Sequence, residues 1–302
     1  MTPISVIPTS AHEFVDLSLP GGVPLRTDFA RGLVTFIGTA TVLIRYAGIT
    51  VLTDPNFIGR GESIPLGFGL STTRLTNPAM SIDELPPVDL VVLSHLHADH
   101  FDRVAEERLD RTLPIVTTRQ AAVLLGRKGF VSTHGLARWQ SFSVAKGPVR
   151  LDITALPARH APGPLAALLP STMGSLLQFS TTDGHCFRLY ITGDTLFVNE
   201  LREIPRRYPA IDLALVHLGG TRLAGVLLTL DARQGLRLLR LIQPATAIPI
   251  HYNDYPVFRS PLSDFQRLAE RARWRDRIAY LEHGETHVFD VAAPHGTSLA
   301  TP

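Results

Sequence analysis

Hydrophobic and polar positions divide the chain into short apolar runs that are separated by turn residues. Near the start, residues 33–37, 41–46 and 49–52 are three such runs, and Gly38 and Gly48 mark the turns between them. Short apolar runs joined by tight turns are typical of consecutive antiparallel strands. The pattern therefore predicts a three-stranded antiparallel meander.

Further apolar runs alternate with amphipathic segments along the rest of the chain. The predicted strands are 88–93, 149–155, 175–180, 187–192, 213–216 and 245–250. Apolar residues at helical spacing predict helices at 121–125, 231–241 and 263–273. Antiparallel strands followed by alternating strands and helices occur once before residue 148 and again after it. The order of elements is therefore roughly repeated within the chain.

The two ends and one internal stretch lack this periodicity. Residues 1–30 contain four prolines and are expected to form a leader that lies over the body. Residues 31–292 are expected to be a single domain and residues 293–302 a C-terminal tail. Residues 57–87 are rich in Gly, Pro, Ser and Thr, and we expect a long loop that serves as a lid or a binding wall.

Composition describes a globular chain. With 302 residues, of which 45% are hydrophobic and 19% charged, the chain can bury a large core. The formal net charge of +2 gives no reason to expect a nucleic-acid partner. No stretch reaches the roughly 18 apolar residues that span a bilayer, and residues 1–16 lack the features of a secretory signal. We therefore expect a cytoplasmic protein with no transmembrane segment.

Cys186 is the only cysteine. An intramolecular disulfide and a thiolate metal site are therefore both excluded. Because Cys186 begins an apolar, strand-like segment, we expect a core residue rather than a nucleophile.

The strongest chemical signal follows the predicted strand 88–93. His95, His97, Asp99 and His100 lie within six residues, and divalent metals such as Zn²⁺ prefer imidazole nitrogen and carboxylate oxygen as donors. One His-x-His pair is weak evidence, since ordinary strands often carry two histidines. The two further donors directly after it indicate a metal site, with a solvated polar loop as the alternative.

Three more candidate donors follow predicted strands elsewhere in the chain. They are His160, Asp194 and His251. Each one alone is more typical of a strand-end cap or a solvated side chain. Their order after the motif at 95–100 is what makes them informative.

Taken in order, these residues resemble the five motifs of the metallo-β-lactamase superfamily over about residues 33–290. The matching positions are Thr53-Asp54-Pro55, the motif at 95–100, His160, Asp194 and His251. Residues 36–44, 52–55, 82–89 and 211–214 resemble the branch that holds the N-acylphosphatidylethanolamine-hydrolysing phospholipase D and the ascorbate-phosphate lactonase. The resemblance implies an α/β fold, an αββα sandwich of two mixed sheets flanked by helices, with two metal ions at one edge.

The resemblance also implies a role for each matching residue. The first metal would be bound by His95, His97 and His160. The second would be bound by Asp99, His100 and His251, and Asp194 would bridge the two. Asp54 is expected to orient a ligand rather than to bind metal; the alternatives are a direct ligand and a strand-end cap.

Two divalent ions roughly 3.5–4 Å apart can share a water and lower its pKa toward neutrality. The expected function is therefore hydrolysis, in which a bridging hydroxide attacks a phosphodiester, lactone or related ester, including lipid-like ones. Zn²⁺ is favoured, and Mn²⁺ and iron stay open. His97 argues against the oxygen-reducing flavodiiron relatives, which carry a glutamate there. The alternatives are a nuclease of the same superfamily and a non-catalytic metal-binding protein.

Residues beyond the metal motifs bear on catalysis and substrate. Asp99, Asp194 and His217 are the candidate catalytic residues, with His217 a proton donor or substrate contact. For His217 and His283 the alternative is a structural histidine, and for Asp254 an additional ligand role is a minor possibility.

Two apolar loops are expected to face the metals. Residues 161–170 and 223–228 would hold an acyl or other lipophilic group. Alternatively, they pack onto the sandwich or form an interface in a homo-oligomer.

A basic stretch near the C-terminus completes the candidates. It contains Arg267, Arg271, Arg273, Arg275 and Arg277. We expect a solvated, partly ion-paired face. The alternative is a surface for anionic lipid or nucleic acid.

Overall fold

The computed structural model describes residues 13–18, 28–67, 69–182 and 184–291. Within these residues the α-helices are α1 (Arg103–Arg108), α2 (Arg119–Arg127), α3 (Glu203–Arg207), α4 (Ala232–Ile242) and α5 (Leu262–Arg271). Short 3₁₀ helices lie at Ile82–Glu84, Gly163–Leu168, Asn199–Arg202 and Arg275–Arg277. None of the helices in these residues has the length and apolarity needed to span a bilayer.

The strands of the described residues fall into four sheets. They are β1 (Glu13–Ser18), β2 (Arg31–Gly38), β3 (Thr41–Tyr46), β4 (Ile49–Thr53), β5 (Ser63–Gly67), β6 (Leu70–Thr73), β7 (Leu90–Val92), β8 (Ile115–Thr118), β9 (Thr133–Leu136), β10 (Ser141–Lys146), β11 (Val149–Leu156), β12 (Gly174–Thr181), β13 (Cys186–Ile191), β14 (Leu213–His217), β15 (Gly219–Leu223), β16 (Val226–Leu227), β17 (Thr246–Ile250), β18 (Phe258–Ser260) and β19 (Thr286–Asp290).

Two sheets have seven strands each. The strand order is β19-β2-β3-β4-β7-β8-β9 in one and β1-β10-β11-β12-β13-β14-β17 in the other. The predicted meander is confirmed, because β2, β3 and β4 pair antiparallel. Both sheets are mixed: β4, β7, β8 and β9 run parallel, as do β13, β14 and β17.

Three layers of apolar side chains hold the sheets and helices together. Period-two alternation along β14 illustrates two of them: Leu213 and Leu215 belong to the core between the two large sheets, whereas Ala214 and Val216 face the layer that contains α4 and α5. A third layer packs Leu125 of α2 and neighbouring side chains on the outer face of the other sheet. The predicted αββα arrangement is therefore confirmed.

The predicted long loop at 57–87 is wrong in one respect, because it contains the hairpin of β5 and β6. Gly67 and Gly69 flank the turn and take positive φ angles of 82° and 74°. By composition, the glycines and prolines of this stretch indicate a loop. In the structure several of them lie in the tight turn and the short strands of the hairpin.

The predicted N-terminal leader contributes one strand to the structure. Residues 13–18 of the predicted leader form β1, which pairs parallel with β10 at a sheet edge. The rest of 1–27 and the tail 293–302 lie outside the described residues, and the domain boundaries stay predictions.

The expectation that Cys186 is a core residue is wrong: it is exposed, because it occupies the first position of β13, before the buried positions that begin at Phe187.

Candidate metal centre

The carboxyl ends of parallel strands from both large sheets meet at one edge of the sandwich. In one sheet, β4 ends directly before Asp54, and the motif at 95–100 follows β7. In the other, β11, β13, β14 and β17 end at or just before four polar residues, which are His160, Asp194, His217 and His251. Parallel strands deliver the residues that follow them to the same edge. This topology brings together side chains that lie up to about 200 residues apart in the sequence.

The first cluster consists of three imidazoles. The Nδ1 atom of His97 lies 2.8 Å from Nε2 of His95 and 3.2 Å from Nε2 of His160. One donor atom from each of the three rings lies within 4.8 Å of the others. Three nitrogens that converge in this way match the donor set of a divalent cation.

The second cluster contains Asp99, His100, Asp194 and His251, whose donor atoms also lie within 4.8 Å of one another. Nε2 of His251 lies 3.4 Å from Oδ2 of Asp99, and Nε2 of His100 lies 3.4 Å from Oδ2 of Asp194. Two carboxylates and two imidazoles therefore surround one small volume.

The carboxylate of Asp194 lies between the two clusters. Its Oδ2 atom is 3.7 Å from Nε2 of His160 and 4.0 Å from Nε2 of His95, both in the first cluster. Its Oδ1 atom is 3.6 Å from Nε2 of His251 in the second. Asp194 is 2% exposed, so solvent does not separate it from either cluster.

Unpartnered atoms show that these donors fit cations. Nε2 of His100 and Oδ1 of Asp194 are buried and have no hydrogen-bond partner among the described residues. Buried polar atoms without partners are costly. Both atoms face the second cluster, and a cation there would satisfy them, so the residues present fit a metal centre.

Outer hydrogen bonds set which nitrogen of each imidazole faces the centre. In four histidines, Nδ1 lies within 3.3 Å of an acceptor on the far side: Ser94 Oγ for His95, Asp54 Oδ2 for His100, Leu228 O for His160 and Leu218 O for His251. When Nδ1 donates, the lone pair of the neutral ring is on Nε2. Each of these rings therefore presents a donor atom to the cluster.

Asp54 lies behind the centre. Its buried carboxylate accepts hydrogen bonds from the backbone N–H of Ser94 (2.6 Å), from Ser94 Oγ (2.9 Å) and from His100 Nδ1 (3.0 Å). It belongs to neither of the clusters described above, but it forms a third group with His100 and His217, whose donor atoms also lie within 4.8 Å of one another. Ser94 is a residue that the sequence analysis missed, because a serine beside a histidine motif carries no distinctive signal.

His217 extends the same network away from the centre. Its Nε2 atom lies 3.3 Å from Oδ2 of Asp54, and its Nδ1 atom lies 3.2 Å from Oγ1 of Thr192. The ring is fully buried and is not among the residues that line the cleft described below. The sequence placed His217 at the correct strand end, whereas the direction of its side chain depends on packing.

Charges differ between the two clusters. Burial lowers the pKa of His97 to about 4. Burial also opposes a positive charge on His100 and His251, but the carboxylates of Asp194 and Asp99 outweigh this effect and raise the pKa of both rings. The first cluster therefore favours neutral imidazoles, whereas the two carboxylates of the second cluster attract positive charge, either a proton on an imidazole or a cation.

Backbone geometry at the centre is constrained by the loop around Thr39. The backbone N–H of His251 (φ 61°) donates to the carbonyl of Thr39, 2.6 Å away. The N–H of Thr39 in turn donates to Oδ2 of Asp254 at 2.7 Å. Asp254 also accepts from Thr76 and lies 3.4 Å from His283 Nε2. Asp254 and His283 therefore lie outside both clusters, and Asp254 supports His251 through Thr39.

A narrow cleft of about 40 Å³ leads to the centre. His97, Asp99, His160 and Asp194 line its floor. Its walls are mainly apolar and are formed by Pro65, Leu66, Leu169, Leu223, Leu228 and Val257, with Thr221 and Arg222. The two apolar loops named in the sequence analysis both contribute to these walls.

The cleft continues into a wider groove of about 460 Å³. Pro65, Leu66, His97 and Leu169 border both spaces. The groove runs beside the β5–β6 hairpin and the 3₁₀ helix Gly163–Leu168, and Leu96, Phe101 and Leu168 add apolar surface to it. A channel with mainly apolar walls, bordered also by Glu106 and Lys128, therefore connects the polar donors with the surface.

Comparison with known proteins agrees with this geometry. A family model described as the beta-lactamase superfamily domain matches residues 50–252. A metal-dependent hydrolase of Ignicoccus hospitalis is 30% identical over 262 residues, which cover 85% of this chain and 97% of that protein. N-acyl-phosphatidylethanolamine-hydrolyzing phospholipase D 1 of Caenorhabditis elegans is 26% identical over 265 residues, which cover 82% of this chain and 72% of that protein.

The fold also matches solved structures. The crystal structure of a possible metal-dependent hydrolase from Veillonella parvula superposes with a TM-score of 0.73, covering 85% of this chain and 99% of that one. Sequence identity is 21%, so this likeness shows the fold alone.

Proposed function

Since this chain belongs to the beta-lactamase superfamily, we propose that it is a metal-dependent hydrolase that cleaves a phosphodiester, lactone or related ester with an apolar group. One observation carries the proposal: two donor clusters that share a buried carboxylate lie at the floor of a cleft with apolar walls. The cytoplasmic location and the oligomeric state stay predictions.

The donor sets support two divalent cations. His95, His97 and His160 would hold one, Asp99, His100 and His251 the other, and Asp194 would be shared. Zn²⁺ suits a set made only of nitrogen and oxygen donors. Mn²⁺ and iron also accept such donors, but this donor set is less specific for them. When bound, two such cations supply an ionised water and stabilise negative charge on a substrate oxygen.

The side chains around the cleft have distinct roles in this proposal. Asp194 links the two clusters, and Asp99, at the floor of the cleft, is positioned to accept a proton from an incoming water. His217 contacts Asp54 rather than the cleft, so we assign it the task of orienting Asp54. Ser94 and Asp54 fix the rings of His95 and His100.

The apolar groove supports a substrate with an acyl or similar chain. The cleft is wide enough only for the reacting group, so the remainder of a substrate would lie in the adjoining groove between Leu66 and Leu169. The name of the Caenorhabditis elegans relative, which describes hydrolysis of an N-acylated phospholipid, supports the same chemical class.

A substrate panel tests this proposal. The purified chain is assayed with bis-p-nitrophenyl phosphate, lactones of short and long acyl chain, and a structured RNA, with metal content measured in parallel. We expect hydrolysis of the small esters and a higher kcat/KM for the long-chain lactone. Preferential cleavage of RNA, or metal loading without hydrolysis of any ester, would contradict the proposal.

A matched pair of variants tests the groove. Leu169→Asn changes a wall shared by cleft and groove, whereas Leu165→Asn changes an exposed side chain of the neighbouring 3₁₀ helix that lines neither space. We expect Leu169→Asn to lower kcat/KM for the long-chain lactone about tenfold, since it removes apolar contact worth about 1.5 kcal/mol, and to lower it less for bis-p-nitrophenyl phosphate, which has no acyl chain. Equal effects of the two variants would argue against an acyl groove.

A further inference from the structure

A second cavity, of about 420 Å³, has a wall of arginines. Five guanidinium side chains line it: Arg222, Arg233, Arg259, Arg267 and Arg271. The carboxylates in the same wall are those of Asp231 and Asp264. The cavity therefore has three more positive than negative charges, in a chain whose formal net charge is only +2.

Different elements supply these arginines, so the cluster is not one solvated helix face. Arg222 lies on β15, Arg259 on β18 and Arg233 in the first turn of α4. Arg267 and Arg271 lie four residues apart on α5 and share a face of that helix. The five arginines are distributed over a segment of 50 residues, and folding brings them together.

The basic stretch named in the sequence analysis is divided by the fold. Arg267 and Arg271 line the cavity. Arg277 instead stacks on the ring of Trp274 and donates to the carbonyl of Pro244, and Arg275 lies 4.0 Å from Glu270. The predicted solvated, partly ion-paired face describes Arg267, which pairs with Asp264, and Arg275, whereas Arg277 packs against Trp274.

Most of the positive charge in the cavity has no partner. Arg233, Arg259 and Arg271 make no side-chain hydrogen bond or ion pair within the described part of the chain. Of the two carboxylates, Asp264 pairs with Arg267, and Asp231 caps α4 by accepting from the N–H of Gln234 at 2.9 Å. Neighbouring unpaired guanidiniums repel one another, and an anion among them would remove that repulsion.

The arginine cavity borders the metal cleft without belonging to it. Successive residues of β15 face opposite sides of the strand. Thr221 and Leu223 line the cleft, and Gly220 lines the arginine cavity. Arg222 lines both spaces. A ligand in the cavity would therefore lie beside a substrate in the cleft, across a single strand.

We propose that this cavity binds a phosphoryl group, a phosphate monoester or a diphosphate, carried by a small molecule or by a lipid headgroup. A guanidinium presents two parallel N–H donors that match two oxygens of a phosphate. The local excess of three positive charges matches a compact anion with two or three negative charges. All five arginines are exposed and line one concave site, so a compact anionic group can reach them from solvent.

Titration with inorganic pyrophosphate tests the proposal. Binding is measured calorimetrically with the full chain as purified and again after treatment with a chelator, which removes any contribution of bound metal. We expect saturable binding in both forms, and a Kd that rises with salt concentration because the contacts are between charges. Absence of binding to the chelated chain would overturn the proposal and would leave the proposed hydrolase activity untouched.

A matched set of variants locates the binding. The double substitution Arg259→Gln and Arg271→Gln removes two unpartnered guanidiniums, and Arg240→Gln removes an exposed arginine of α4 that does not line the cavity. We expect the double variant to weaken pyrophosphate binding about tenfold or more with an unchanged unfolding temperature, and Arg240→Gln to bind normally. Equal affinity in all three proteins would overturn the proposal.

Two further arms identify the source of the phosphoryl group. Cosedimentation with phosphatidylcholine vesicles that contain phosphatidic acid, lost in the double variant, would assign a lipid headgroup. Pyrophosphate binding without vesicle binding would assign a soluble phosphorylated molecule. Tighter binding of single-stranded RNA than of pyrophosphate, also lost in the double variant, would overturn the assignment to a compact anion.

Discussion

Single residues behind the donor clusters decide how the imidazoles are presented. Asp54 contacts Ser94, His100 and His217 but belongs to neither cluster. Because a carboxylate only accepts hydrogen bonds, it requires His100 to donate from Nδ1 and so to offer Nε2 to a cation. The orientation of one candidate ligand is therefore set by a residue that does not touch the cleft.

The substitution Asp54→Asn tests this role. An amide in place of the carboxylate removes an acceptor and the negative charge, so we expect affinity for the second cation to fall about 10–100-fold. Asp290→Asn, which alters an exposed carboxylate paired with Arg31, is the control. Metal content after dialysis at defined free Zn²⁺ gives the result. Wild-type affinity in Asp54→Asn would exclude an orienting role for Asp54.

Asp254 supports the centre from a different side. Its negative charge should contribute to the free energy of unfolding. Burial disfavours its ionised form, but His283, Thr76 and Arg74 outweigh this effect and lower its pKa below the ordinary value of 3.8. The folded state therefore holds the proton less tightly than the unfolded state. The stabilisation is complete above pH 3.8 and is lost as the pH falls through the lowered pKa of the folded chain.

We therefore expect Asp254→Asn to lower the free energy of unfolding by about 1–3 kcal/mol at pH 7. The difference from the wild type should shrink below pH 4, where the wild-type carboxyl also becomes protonated. Chemical denaturation of both proteins between pH 7 and pH 3 measures it. A difference that stays constant or grows as the pH falls would contradict this account.

At the scale of elements, the turn after β13 delivers Asp194 to its place between the clusters. Gly193 has φ 58°, and a Cβ atom there would lie 2.4 Å from the carbonyl oxygen of Met173. A glycine is required both for the backbone conformation and for the close approach of the loop that contains Met173.

The pair Gly193→Ala and Gly129→Ala separates these two requirements. Gly129 also has a positive φ, 93°, but a Cβ atom there would meet nothing within 4 Å. We expect Gly129→Ala to cost about 1–2 kcal/mol through backbone strain alone. Gly193→Ala should cost at least about 2 kcal/mol more and should reduce metal binding. Equal losses of unfolding free energy would show that the contact with Met173 has no effect.

The elements that sequence predicts well here are those with a local signal. The runs at 41–46 and 49–52 became β3 and β4 with nearly the same bounds, because apolar runs bounded by tight turns define strands within a few residues. The hairpin of β5 and β6 was missed because its glycines and prolines indicate a loop. The short strand β8 was missed because its four residues give too little pattern.

The candidate site shows the same division between local and tertiary information. The motif at 95–100 is contiguous, so its residue types alone indicate metal binding. The position of His217 at a strand end was predicted, but its contact with Asp54 depends on two strands from different sheets. The exposure of Cys186 depends on where β13 begins. The arginine cavity depends on how strands and helices pack together. Neither can be predicted from the periodicity of apolar residues.

In the whole molecule, each half of the chain contributes most of one large sheet and part of the centre. Strands β2–β4 and β7–β9 belong to one sheet and β10–β14 and β17 to the other, as the repeated order of elements in the sequence indicates, whereas β19 and β1 each join the sheet formed mainly by the opposite half. The motif at 95–100 comes from the first half, and His160, Asp194 and His251 come from the second. Cations at this edge would therefore tie the two sheets together.

We propose that seven side chains from both halves hold two cations that are needed to hydrolyse an ester. Titration of the metal-free chain with Zn²⁺, followed by hydrolysis of bis-p-nitrophenyl phosphate, tests it most directly. We predict that activity saturates at two equivalents of Zn²⁺ per chain and that Asp194→Ala, folded by circular dichroism, binds Zn²⁺ more weakly and stays inactive. Full activity at one equivalent, or wild-type activity in Asp194→Ala, would contradict the account.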